Sequence, residues 1–332
     1  RAARREDVAK GAPPSLAREL RVLAGAAVHG PRFRCANGPI FTAHSIGRIE
    51  EALRPAPAAG DDDFLSGRSG HVGGRRGAAA TALDRALDLA WRRGPRRSAR
   101  RRVLVLSVAR EGSRWWPAAE RILRASSHDV EIRTSDVEGR GKFENLNRLL
   151  GAEGSAPAQR AASGSADGAA SRERPAPPHD WLLVVDDDVV LPAGFLDRFL
   201  AVAERHGFRI AQPAHRLSSH AAWPVTRRRP ASVARETAFV EIGPVTAFHR
   251  DTFDVLLPFP GLRMGWGLDA HWSAVARERG WRMGVVDATP IHHAVPVGEA
   301  YPREDAIAEA RAFLDGRPYV RRDEARTLRT HR

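Results

Sequence analysis

The run Asp180-Trp-Leu-Leu-Val-Val-Asp-Asp-Asp-Val-Val-Leu191 has no polar alternation until three carboxylates interrupt it. Such a pattern predicts a strand covered on both faces, with Asp186, Asp187 and Asp188 at its tip. Arg102–Arg110 (RVLVLSVAR) reads as an earlier strand of the same kind, and Asp129–Val137 as a second one ending at Asp136. Glu111-Gly112-Ser113 turns between them into a helix near Pro117, a residue tolerated in a first turn. Gly139–Leu150 is a glycine-flanked basic turn that opens another helix. After the carboxylates, Pro192–His206 sets Phe195, Phe199 and Val202 on one helical face, and Arg209–Arg216 predicts a short strand. A long loop over His215–Ala234 leads to a strand over Phe239–Phe248, kinked at Gly243-Pro244. The glycine-rich loop Pro258–Asp269 precedes a helix over Ala270–Gly280, a strand from Arg282 to Asp287 continuing towards His293, and a helix over Glu304–Leu314. Alternating strands and helices imply right-handed βαβ units, hence an α/β domain with a mostly parallel sheet.

The first 101 residues show no such alternation. Ser15–Val28, Ser45–Leu53 and Ala78–Trp91 have helical spacing, the last with Leu83, Leu87 and Trp91 at four-residue steps. Pro55–Gly77 has the composition of a mobile linker, and Gly151–Pro178 that of a disordered insertion within the α/β order. The expected division is a helical N-terminal extension over residues 1–101, the α/β domain over 102–297, and a helix with a basic tail over 298–332.

Composition adds a formal charge of +13, carried by Arg because Lys10 and Lys142 are the only lysines. A basic surface favours anionic partners: nucleotide diphosphates, acidic glycans or a peripheral anionic membrane surface. The arginine cluster after Trp91 reads equally as a docking patch or a solvated linker; nucleic acid is not the expected partner. Cys35 alone allows no internal disulfide, and no apolar run reaches the length of a membrane span, which together fit a cytoplasmic protein. Opening at Arg1 without Met, the chain reads as part of a longer frame.

Three crowded acids at a strand tip repel one another unless a cation relieves them. Asp186 and Asp188, two apart, can project to one side of the strand while Asp187 points away. Several marks follow one order: a first strand ending in a polar turn, a second ending in Asp136, G-x-G-K-x-x-x-x-N, D-x-D, GWG-x-D and a late histidine. In this order residues 102–297 resemble the GT-A-fold glycosyltransferases, in particular family-two-like bacterial members. The resemblance implies a Rossmann-like nucleotide-diphospho-sugar transferase fold and transfer of a sugar from a nucleotide-sugar donor to a saccharide or other hydroxyl acceptor, with inversion. On the family pattern Asp188 is a direct ligand of Mn²⁺ or Mg²⁺, Asp186 contacts ribose, metal or both, and His293 or His292 completes the shell. Asp136 would meet base or ribose, Arg110 and Lys142 the phosphates, Trp266 a sugar ring, and Asp269 would be the catalytic base with Glu241 as second choice. Each residue also has a plainer reading. Asp136 can simply end a strand, Arg110 can pair with an acid, His292-His293 can form a surface turn, and Asp269 can cap its helix. A nucleotidyltransferase and a non-catalytic polyanion-binding protein are the competing functions.

Overall fold

The computed structural model describes residues 62–65, 74–91, 98–151, 176–230, 232–296 and 302–332. The expected helices over 15–28 and 45–53, Cys35, and all but the ends of the 151–178 insertion lie outside them. Helix α1 (Gly74–Trp91) precedes β1 (Arg102–Val108), α2 (Trp116–Arg124), β2 (Asp129–Ser135) and α3 (Lys142–Leu149). Then come β3 (Trp181–Val185), β4 (Val189–Val190), α4 (Phe195–Arg205), β5 (Phe208–His215), β6 (Ala234–Thr237), β7 (Val245–His249) and α5 (Phe253–Leu256). Helix α6 (Leu268–Glu278), β8 (Arg282–His293), α7 (Arg303–Leu314) and β9 (Thr327–His331) complete the chain.

The strands form one sheet in the order β2-β1-β3-β7-β5-β8-β6-β9, with β4 added against β8. The α/β class expected from the pattern is present, and the sheet is mixed. It is parallel across β2-β1-β3 and between β5 and β8. It turns antiparallel where β7 inserts between β3 and β5 and where β6, β9 and β4 join. Alternate residues of the apolar runs serve opposite faces, as the strand period requires. Leu104, Leu106, Leu182 and Val184 pack with Phe143 of α3, Trp272 of α6 and Phe313 of α7. Val103, Val105, Leu183 and Val185 pack on the other face with Leu123 of α2 and Phe199 of α4.

Three stretches depart from the sequence expectation. Within Phe239–Phe248 only the part from Val245 onward is strand, while Ala234–Thr237, which starts at the last residue of the expected loop and otherwise falls between expected elements, is β6. The backbone near Glu241 is satisfied by side chains instead of a ladder: its N–H donates to Gln212 Oε1, and its carbonyl accepts from Thr246 Oγ1 at 2.8 Å. The Pro55–Gly77 linker contains an anchored turn at residues 62–65, and α1 already begins at Gly74. The basic tail supplies β9, which pairs with β6 because Ala234, Arg235 and Glu236 register against His331, Thr330 and Arg329. No described helix is long and apolar enough to cross a membrane.

Candidate metal centre and active-site cleft

Strand β3 ends in a tight turn formed by the three carboxylates, and β4 then returns the chain against the end of β8. Val189 registers with His293 and Val190 with His292. Of the two histidines, His293 is the one grouped with the carboxylates: its Nε2 lies 3.1 Å from Asp188 Oδ2. Asp186, Asp188 and His293 offer ligand atoms that all lie within 4.8 Å of one another. Two hard carboxylates and one imidazole fit Mn²⁺, with Mg²⁺ the next choice, so the donor set suits the expected cofactor. Asp187 points elsewhere. Arg110 grips it through Nε and Nη2 at 3.0 and 2.8 Å, and the Arg110 backbone N–H adds a third bond at 3.1 Å. The ion-pair reading of Arg110 is therefore realised, although the residue still lines the cleft.

Lys142, at the start of α3, places Nζ 2.6 Å from Asp186 Oδ1. Gly243 packs close to this pair: a Cβ there would sit 2.9 Å from Asp186 Oδ2 and 3.3 Å from Lys142 Nζ. Burial raises the Asp186 carboxyl, partly offset by Lys142. Burial also works against charge at Asp188 and His293, yet their mutual hydrogen bond and attraction win. Asp188 is held below the usual carboxylate range and the His293 imidazolium above the usual imidazole range.

These groups open into a cleft of about 770 Å³ that Glu241, Trp266 and Asp269 also line. Asp136 does not line it: the side chain is exposed at the end of β2 and accepts the Val137 N–H at 2.6 Å. The GWG loop is not loose, since the Glu309 carboxylate of α7 accepts the N–H groups of Arg263, Met264 and Gly265 at 2.7, 2.9 and 2.8 Å. Gly267 is the N-cap of α6 at φ 86°, a conformation that favours glycine. Asp269 is thus the second residue of the helix and not its cap. Burial first, and the nearby Glu241 charge, push its carboxyl up to about 7 against backbone N–H donors that favour ionisation. Its Oδ1 accepts the Ala270 N–H at 2.9 Å.

Glu241 brings in two residues that the sequence reading missed. His215 Nε2 lies 3.1 Å from Glu241 Oε2, and Thr226 Oγ1 donates to the same oxygen at 3.1 Å. Both come from the stretch read as strand end and long loop, where no spacing distinguishes them. Phe64 and Leu65 also line the cleft from the segment read as linker.

No family model matches the sequence, and no curated protein does. The crystal structure of A197 from STIV is similar over 59% of this chain and 86% of its own, at 11% identity and a TM-score of 0.36. The crystal structure of GalNAc-T7 with UDP, GalNAc and Mn²⁺ is similar over 82% of this chain at 10% identity, again with a TM-score of 0.36. The match spans 58% of the length of that GalNAc-T7 chain. Likeness of this order assigns neither family nor activity.

Proposed function

We propose that this chain is a GT-A-type glycosyltransferase that moves a sugar from a nucleotide-sugar donor to a hydroxyl acceptor with inversion. The observation that carries the reading is the meeting, in one cleft, of the Asp186/Asp188/His293 donor set with a buried Asp269 raised to about 7. A divalent cation held by the first three would act as a Lewis acid on the diphosphate leaving group. Lys142, fixed on Asp186, keeps donors for phosphate oxygens at a helix N-terminus that already favours anions. Asp187 holds Arg110 at the cleft wall, so its positive charge reaches phosphate from a fixed position.

Asp269 is suited to take the acceptor proton. A base whose pKa lies near the working pH combines a usable fraction of carboxylate with adequate basicity. The acceptor oxygen attacks the anomeric carbon, the bond from that carbon to the diphosphate breaks, and the proton passes to Asp269. Glu241, held by His215 and Thr226, keeps the neighbourhood anionic and so supports the raised pKa.

A thermal-shift screen of UDP and GDP, with and without Mn²⁺, tests the reading, because a ligand selective for the folded state raises its apparent stability. Stabilisation that needs both nucleotide and metal is expected; none from any pair would overturn it.

A further inference from the structure

The turn at residues 62–65 is remote in sequence from the carboxylates yet forms part of their cleft. Phe64 and Leu65 are buried with the core, the Phe64 ring meeting Tyr319 edge-on at 6.3 Å, while the polar attachments of the turn involve residues outside the cleft lining. Asp62 accepts Nε and Nη2 of Arg311 at 2.8 and 3.0 Å, and Asp63 accepts the Tyr319 hydroxyl at 3.0 Å. The Asp63 and Leu65 carbonyls accept from the Arg322 N–H and its Nη1. The segment is thereby strapped to α7 and the chain beyond it, and Phe64 and Leu65 are left to line the cleft.

A second apolar piece comes from the loop between β5 and β6, where Ala222 and Trp223 line the same space. Trp223 lies against Phe239 with ring centroids 4.1 Å apart. Helix α1 fixes this loop. Asp84 pairs with Arg228 at 3.1 Å, both side chains almost fully buried, and Asp88 pairs with Arg228 and Arg216 at 3.0 and 2.8 Å. The described parts of the N-terminal region thus build an apolar wall twice, directly through Phe64 and Leu65 and indirectly by bracing Trp223.

Neither segment brings a charged side chain into the cleft, whereas the β3–β4 turn and the start of α3 bring carboxylates and Lys142. A free sugar acceptor needs convergent hydrogen-bonding groups. An alkyl or aryl group needs apolar surface that would otherwise face water. We infer that the acceptor hydroxyl is carried by an apolar alkyl- or aryl-bearing molecule, and that Phe64 and Leu65, with Trp223, form the subsite for that apolar group. This deepens the glycosyltransferase reading and rests on it.

The test compares methyl and octyl β-glucoside, the latter below its critical micelle concentration, by calorimetric titration of the full chain with UDP and Mn²⁺ present. Octyl glucoside is expected to bind on the order of tenfold or more tightly than methyl glucoside, because only it buries a chain. Phe64→Ser and Leu65→Ser should each reduce that preference several-fold, while Phe64→Leu retains it. Leu65→Trp, which fills the space without adding polarity, should also reduce it and keeps the test decisive where a serine variant fails to fold. Equal affinity of the two glucosides in the parent, or a preference that survives in folded Phe64→Ser and Leu65→Trp, overturns the subsite. UDP titrated with Mn²⁺ alone is a separate arm. If it fails to bind the parent, the glycosyltransferase reading falls, while the glucoside comparison still decides whether the apolar subsite exists.

Discussion

Two buried groups of charge lie along β8, and they differ in how completely they are satisfied. Midway along the strand, Asp287 accepts Nε and Nη2 of Arg235 at 2.8 and 3.0 Å and the Arg229 N–H at 2.8 Å. Arg235 spends its remaining donors on the Val225 and Arg227 carbonyls, both at 2.6 Å, and on Thr327 Oγ1 at 3.4 Å. Towards the end of the same strand, His293 meets Asp188 through one nitrogen, and its Nδ1 has no partner among the described residues. Nearby Asp186 and Asp269 are both raised by burial. A buried charge with every bond made is scaffolding: it fixes β6 against β8 and has nothing left to offer a ligand. A buried cluster with spare lone pairs and opposed pKa shifts is costly to keep without a task, which is why such clusters mark functional sites.

The largest expected effect tests the satisfied side. Asp287→Ala leaves the fully buried Arg235 guanidinium without its counter-charge and should lower stability by about 3–5 kcal/mol, read as a fall in the urea midpoint. The double variant Arg235→Met/Asp287→Leu should recover most of that loss, since an apolar pair of similar volume removes both charges. Loss in the single variant below about 1 kcal/mol would show that the pair is no more structural than the cluster.

Next comes turnover. Asp269→Asn keeps an oxygen for the Ala270 N–H but cannot take a proton. It should lower sugar transfer by about 10²-fold or more with Mn²⁺-dependent UDP affinity unchanged. Parental turnover in a folded variant would move the base to Glu241 or require a retaining route.

Asp188→Ala should weaken Mn²⁺-dependent UDP binding by more than about tenfold while leaving metal-free unfolding cooperative, because it removes one of the three side chains proposed to hold the metal. Equal nucleotide affinity in variant and parent, with Mn²⁺ present, would sink the metal assignment.

The same contrast explains what was legible in the sequence. Elements built from uninterrupted apolar runs, such as β1 and β3, could be read because burial on both faces leaves its mark on every residue. Asp186, Asp188, His293 and Asp269 could be read because their side chains follow or precede such elements at fixed places. Arg235 and Asp287 could not, since two charged residues far apart in sequence carry no sign of their pairing until β6 and β8 meet. The region near Glu241 was misread as strand because Phe239, Val240 and Ile242 satisfy an apolar pattern, while side chains of Gln212 and Thr246 supply the bonds that a ladder would otherwise make. Phe64 and Leu65 were hidden by the Asp- and Gly-rich residues around them, whose carboxylates prove to be anchors.

The smallest effect concerns pH and sharpens the comparison at a single residue. Unfolded, Asp269 ionises near its ordinary value of 3.8; folded, it ionises near 7. The folded state therefore holds a proton that the unfolded chain has released throughout the interval between them, and stability must fall as pH rises across it. The contribution is fully present below the lower value and lost on passing through the upper one. Asp269→Asn has no such proton to lose. Between pH 6 and 8 the parent should lose about 1.4 kcal/mol relative to the variant, the result of a tenfold change in the protonation ratio of one site. Urea unfolding of both proteins at several pH values, without metal, measures the difference directly, since changes common to both cancel. Parallel pH profiles would mean that Asp269 is solvated enough to ionise normally, and the buried base would lose its distinction from an ordinary first-turn aspartate.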